Sequence, residues 1–217
     1  MANDRPHRAS RGAAAVELLL AFVLVLLPLL GAIFELAQLG VSRQLLQAAV
    51  FDAARAAAVE QGDRDVLVRT LARGLVPLHG AAAGVAPGIA FARALVELRR
   101  PDLTRVEFRS PVRAAFDDFA VAANGDRWLP NAGAELLPGR GARSGLRLAE
   151  ANDLVVVVSY CRRLVVPLLD RTIAAVARPW VSTRARHCLA QGRVPIVVEA
   201  ATVMQSPASE ARMGLRR

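Results

Sequence analysis

The chain has 217 residues, enough for one ordinary domain plus an appendage, and its 54% hydrophobic content excludes a disordered polymer. Its formal charge of +9 comes from 28 basic against 19 acidic residues, with no lysine, and the arginines are scattered from Arg5 to Arg217 among acids instead of gathered on one face. With 5% aromatics and a single tyrosine it also lacks a stacking platform for bases, so composition speaks against nucleic acid as a partner.

Residues 1–12 carry Arg5, Arg8 and Arg11 opposed only by Asp4, and an apolar run follows. From Leu18 to Phe34 there are 17 consecutive uncharged residues, and the stretch counted from Ala13 is 22 long, which as a helix spans about 33 Å and crosses a bilayer. The basic flank predicts a cytoplasmic N-terminus and places everything beyond about residue 40 outside. Pro28 and Gly31 are compatible with a membrane helix. A cleavable secretory signal fits poorly: a cut after Ala32 would need a small residue where Leu30 stands, and a cut after Ala37 would need one at Glu35. No cysteine precedes Cys161, so a lipoprotein signal is excluded.

Glu17 is the anomaly in this run. An ionisable residue in a span costs about 2.5 to 3.5 kcal/mol at the centre on insertion scales and is a functional hypothesis by default. Gly12 is followed by Ala13, and Glu17 is the fifth residue counted from Ala13, after a basic leader and within an apolar helix. This arrangement resembles the site read by prepilin peptidases, which cut after the glycine. The resemblance implies a mature chain starting at Ala13 with a free amine, and a Glu17 that neutralises the amine of a neighbouring subunit in a packed filament.

The likeness extends along Arg11 to Ala58, "RGAAAVELLLAFVLVLLPLLGAIFELAQLGVSRQLLQAAVFDAARAAA". This segment resembles the N-terminal part of TadE-like pseudopilins of tight-adherence (Flp-type) pilus systems. In that family the span is followed by a glutamate, a Gln/Arg patch and an alanine-rich helix ending near "AAR", places taken here by Glu35, by Arg43, Gln44 and Gln47, and by Ala53, Ala54 and Arg55. "SPVRAAFDDF" with "NGDRWLPN" (Ser110 to Asn131) and "VPIVVEAATVMQSP" (Val194 to Pro207) are similar to blocks in proteobacterial members. Leu18 departs from the pattern, because many members have an aromatic residue after the glutamate.

Beyond the span the residues themselves predict a helix leaving the membrane. Leu46, Val50, Ala53 and Ala57 make an apolar stripe, with Arg43, Gln47, Asp52 and Arg55 on the wet side and an Asp52–Arg55 pair three residues apart. The stripe suits either the core of the outer domain or a subunit contact. Gly62 is expected to end this helix, and Asp63 or Asp65 to cap a shorter one with Leu67, Leu71, Leu75 and Leu78 inward, stopping near Pro77. Residues 80–92 read as a loop or connector. Leu103 to Phe108, Leu154 to Tyr160 and Ile196 to Met204 are β-branched and are the expected strands of a small sheet packed on the helix; residues 138–145 read as an exposed loop.

Cys161 and Cys188 fall on the outer side. In a periplasmic compartment they are positioned for a disulfide closing a loop of about 27 residues, worth about 3.5 kcal/mol in the chain-entropy model; two unrelated buried thiols are the alternative. His187 beside Cys188, with His79 elsewhere, forms no recognisable nucleophile arrangement. The cysteines and outer histidines have no paired zinc spacing, and "GRGARSG" is not a phosphate loop. No cofactor, metal or enzymatic activity is therefore expected.

The expected architecture is α+β and pilin-like: leader 1–12, transmembrane helix 13–36, helical extension 37–78, connector 79–101, periplasmic α+β domain 102–207 and tail 208–217. The resemblance implies a minor pseudopilin of the inner membrane or of an extracellular pilus, with the prepilin peptidase, other pilin subunits and the pilus assembly platform as partners. Its rivals are a single-pass envelope protein with a partner-binding outer domain, which keeps its leader, and an anchored hydrolase dependent on Cys161 or Cys188.

Overall fold

The computed structural model describes residues 10–80, 84–137, 139–166 and 180–215; the first nine residues of the expected leader lie outside these. The fold is α+β: one long N-terminal helix, with two small antiparallel sheets and shorter helices built on its far half.

The long helix is α1 (Ser10–Ala21), a single π turn (Phe22–Leu26) and α2 (Leu27–Val59) in unbroken succession. The wide turn stands immediately before Pro28, and the Leu27 N–H closes it on the Phe22 carbonyl. Proline has no N–H to return to the preceding turn and its ring crowds that carbonyl, so a locally widened helix lets the chain pass without a break. Ala14–Val59 contains a window of mean hydropathy 2.7, none of it buried by the described residues. Leu18 is 74% and Leu24 69% exposed; so long an apolar surface, left uncovered by the described residues, suits a membrane anchor.

The character of the helix changes at its middle. Leu46, Val50, Ala53 and Ala57, the expected stripe, are all at most 1% exposed, and Arg43, Gln47, Asp52 and Arg55 face solvent. The Asp52–Arg55 pair is not formed; the Arg55 guanidinium lies 5.9 Å over the Phe51 ring instead, so a cation–π contact replaces the ion pair. The helix ends as Gly62 (φ +77°) bonds back to the Ala57 carbonyl at 2.8 Å. Asp63 caps α3 (Arg64–Gly74) through Oδ1, which accepts from the Asp65 and Val66 amides. Leu67, Leu71 and Leu75 are fully buried and Leu78 partly so. The short α4 (Val76–Gly80) runs through Pro77 instead of stopping there, since proline is tolerated in a first turn.

Two expectations need correction. Much of the connector expected over 79–101 is a helix, α5 (Pro87–Arg99), begun by Pro87 in its first turn and holding Ala90, Ala94 and Leu98 inward at a spacing of four. Small residues at that spacing pack a helix closely but carry a weak hydrophobic signal. The segment from residue 208 is not a free tail either: β6 (Ala208–Ser209) joins a sheet and α9 (Glu210–Met213) buries Met213 against the Gly62 turn.

The larger sheet has the order β1 (Thr104–Ser110), β4 (Asp153–Arg163), β5 (Arg193–Val203), and the three strands fall on the segments expected from the sequence, with Leu103 and Met204 just outside them. Leu154, Val156, Val158, Ile196, Val198 and Ala200 point to the core, while Val197, Glu199 and Ala201 face water, the alternation of a sheet packed on one side. A second sheet, not expected, pairs β2 (Val121–Ala123) with β3 (Asp126–Leu129) across an Asn124-Gly125 turn, both residues at positive φ, and adds β6. The helix α6 (Arg113–Phe119) packs on its β3, α7 (Leu148–Ala151) lies between α6 and β4, and α8 (Thr183–Ala190) packs by β5.

Candidate functional site: the membrane helix and its junction with the outer domain

Gly12, Ala13 and Glu17 lie on one continuous helix, α1. Glu17 is one turn beyond Ala13, on the exposed surface, and makes no hydrogen bond or ion pair with any described residue. A carboxyl there, with apolar neighbours and no partner among the described residues, is open to a partner outside this helix.

The outer domain is fastened to α2 by a ladder of polar contacts descending toward the span. At the top the Gln205 N–H donates to the Ala58 carbonyl at 3.0 Å. Midway, Gln47 Nε2 donates to the Glu199 carbonyl at 2.8 Å and covers part of the edge strand β5. Lower still, Arg162 Nε donates to Ser42 Oγ at 2.7 Å, and that hydroxyl donates to the Gln38 carbonyl at 2.7 Å. At the lowest rung Glu35 Oε2 accepts from the Val165 and Val166 amides at 2.9 and 2.8 Å. Glu35 is 2% exposed, and its Oε1 has no hydrogen-bond partner among the described residues. Below it a Cβ on Gly31 would stand 3.2 Å from Val166 Cγ1.

Cys161 on β4 and Cys188 on α8 are joined as a disulfide, with Cα atoms 5.5 Å apart and a sequence separation of 27. They form a small apolar cluster with Leu103. His187, next along the chain, meets Gln191 Nε2 at 2.9 Å. Beside the disulfide lies a polar cluster that sequence reading missed. Glu97 Oε2 accepts from the Tyr160 hydroxyl at 2.6 Å, Oε1 accepts from Arg193 at 3.0 Å, and His79 Nε2 stands 3.7 Å away. Burial works to raise the Glu97 carboxyl, but the Tyr160 and Arg193 hydrogen bonds outweigh it and hold it below its ordinary value. Burial likewise lowers His79, with Glu97 opposing, and drives the Tyr160 hydroxyl well above the usual range. These four side chains come from α4, α5, β4 and β5, so the cluster ties together elements with no local sequence relation.

A family model described as "TadE-like protein" matches residues 12–55. The amino-terminal segment is TadE-like. The match begins at Gly12, includes Glu17, Glu35 and the Arg43, Gln44 and Gln47 patch, and closes on Arg55. No curated protein matches the chain, and no solved structure does. The TadE-like segment thus comprises the membrane helix and three of the four helix residues of the polar ladder, while the strands and loops that meet them lie beyond it.

Among the described residues no group of three or more His, Cys, Asp or Glu side chains is arranged to hold a metal ion. Glu35 was legible beforehand only as a place in a family pattern. Its backbone partners are 130 and 131 residues away, and no local signal points to them.

Proposed function

We propose that this chain is a minor pseudopilin of a tight-adherence pilus, processed after Gly12 by a prepilin peptidase and used in assembling or starting the filament. The observation that carries this reading is the TadE-like match beginning at Gly12 and leading into an exposed apolar helix whose Glu17 has no partner among the described residues. A carboxyl one helical turn from a newly freed Ala13 amine is suited to meet the amine of an adjacent subunit, and pairing in an apolar environment offsets the cost of each charge. On this reading the helix sits in the inner membrane with its N-terminus cytoplasmic, the outer domain is periplasmic, and its role is structural, with other pilin subunits and the assembly platform as partners.

The test is the intact mass and N-terminal sequence of the chain expressed with and without a prepilin peptidase. The reading requires peptidase-dependent loss of residues 1–12, leaving Ala13 first. An unprocessed chain in both hosts would replace it with the anchored envelope protein, whose outer domain binds a partner without entering a filament. Glu17→Ala provides a second arm, since an assembly role requires pilus output to fall while processing continues.

A further inference from the structure

We propose that the outer domain makes a second contact with the membrane, through the Leu164–Val166 segment, and that Glu35 is the positioning residue that holds this segment at the lipid surface. The inference rests on the reading of the N-terminal helix as a membrane span.

The ladder on α2 supplies the ruler. Asp153 pairs with Val203 at one end of the β4–β5 ribbon and Arg163 with Arg193 at the other. The Gln205–Ala58, Gln47–Glu199 and Arg162–Ser42 contacts show that β4 descends along α2, so that Arg163 is the end nearer the span. Past that end the chain continues downward: the Val165 and Val166 amides are level with Glu35, and the Val166 side chain reaches Gly31. Gly31 lies three residues inside the last residue of the uncharged run, Phe34, or about 4.5 Å down the helix axis. Gly31 and Ala32 are partly covered, whereas residues 14–30 are all exposed. The segment therefore dips to the depth where apolar helix surface begins.

Backbone at that depth is tolerated only when its polar groups have partners in the protein. Glu35 satisfies this with one oxygen accepting two consecutive amides. What the segment presents outward is apolar: Val165 is 55% exposed, and the same turns of the helix, on faces away from Glu35, carry Ile33 at 56%, Phe34 at 50% and Leu36 at 68% exposed. An apolar surface continuous with a membrane span and starting at its outer edge has the lipid interface as its fitting occupant. The consequence is orientational. One helix alone leaves the outer domain free to swing and rotate over the bilayer, and a second contact holds it at a set tilt.

The experiment uses the full chain in phosphatidylethanolamine/phosphatidylglycerol liposomes whose acyl chains are brominated. A bimane fluorophore is placed in turn on Ile33→Cys, Val165→Cys and Val203→Cys, the native cysteines being joined to each other. The expected result is strong quenching at positions 33 and 165 and none at Val203, which is 56% exposed at the far end of the ribbon. Quenching at 33 with position 165 as dark to lipid as 203 overturns the second contact while leaving the span intact. Absence of quenching at 33 overturns the span itself, and this inference with it. Glu35→Leu is expected to abolish quenching at 165 and spare 33, and Glu35→Gln, which keeps an acceptor oxygen, to retain it. Unchanged quenching at 165 in Glu35→Leu overturns the positioning role of Glu35.

Discussion

Gly74 on α3 lies so close to Ala49 on α2 that a Cβ built on it would fall 2.4 Å from the Ala49 Cβ and 3.0 Å from its Cα. The two helices meet at bare backbone, and this brings the Leu67, Leu71 and Leu75 face onto the α2 stripe.

Gly74→Ala should therefore destabilise the outer domain despite adding a better helix former. Helix propensity favours alanine by about 1 kcal/mol, whereas overpacking a tight contact costs about 1–3 kcal/mol. A net loss of about 1 kcal/mol is expected, read as a lower thermal midpoint in detergent. A double variant with Ala49→Gly should recover part of it, because it removes the opposing methyl.

Reducing the Cys161–Cys188 bond frees the end of β4 from α8. The constraint on the unfolded chain amounts to about 3.5 kcal/mol in the entropy model, and measured values often fall below that. Cys161→Ala combined with Cys188→Ala should lower the unfolding midpoint as reductant does, and reductant should have no further effect on the double variant.

Asp118 holds the loop over residues 141–145, its carboxylate accepting from the Arg143 amide at 3.0 Å and from the Ser144 amide and hydroxyl at 2.7 and 2.6 Å. The Ser144 hydroxyl is the chief reason its carboxyl sits below the ordinary range. Asp118→Ala should speed tryptic cleavage at Arg140 and Arg143 with little change at other arginines. Equal cleavage in both proteins would show that the loop is held by other contacts.

Stability should fall on acidification through the His79 and Glu97 pair. His79 is shifted down from its ordinary 6.5, so as pH drops below about 6.5 the unfolded chain takes up a proton that the folded chain resists, and unfolding is favoured. Glu97 is shifted down from 4.5, so its contribution is present above about pH 4.5 and is lost as pH falls through the lower folded value. Both groups act in the same direction. Urea unfolding at pH 7.5 and 5.5 should show a smaller difference in His79→Gln than in the parent chain.

Length and apolar content of the first 34 residues marked out a helix long and apolar enough to cross a membrane, because such a helix is specified by its own composition and needs no partner. The stripe from Leu46 to Ala57, the Asp63 cap and the three strands of the larger sheet were also legible, since helical and strand periodicities encode which face is buried. The short-range grammar failed where small residues pack. Ala90 and Ala94 carry too little hydrophobicity to announce α5, and two-residue β6 is too short to have a pattern. The tertiary structure alone decided that the chain past β4 descends to Glu35, that Glu97 gathers Tyr160, Arg193 and His79, and that residues 208–215 close over the Gly62 turn. Those relationships join groups from 18 to more than 100 residues apart, and the pairing of distant groups is set by how the helices and sheets stack, which no local window of sequence contains.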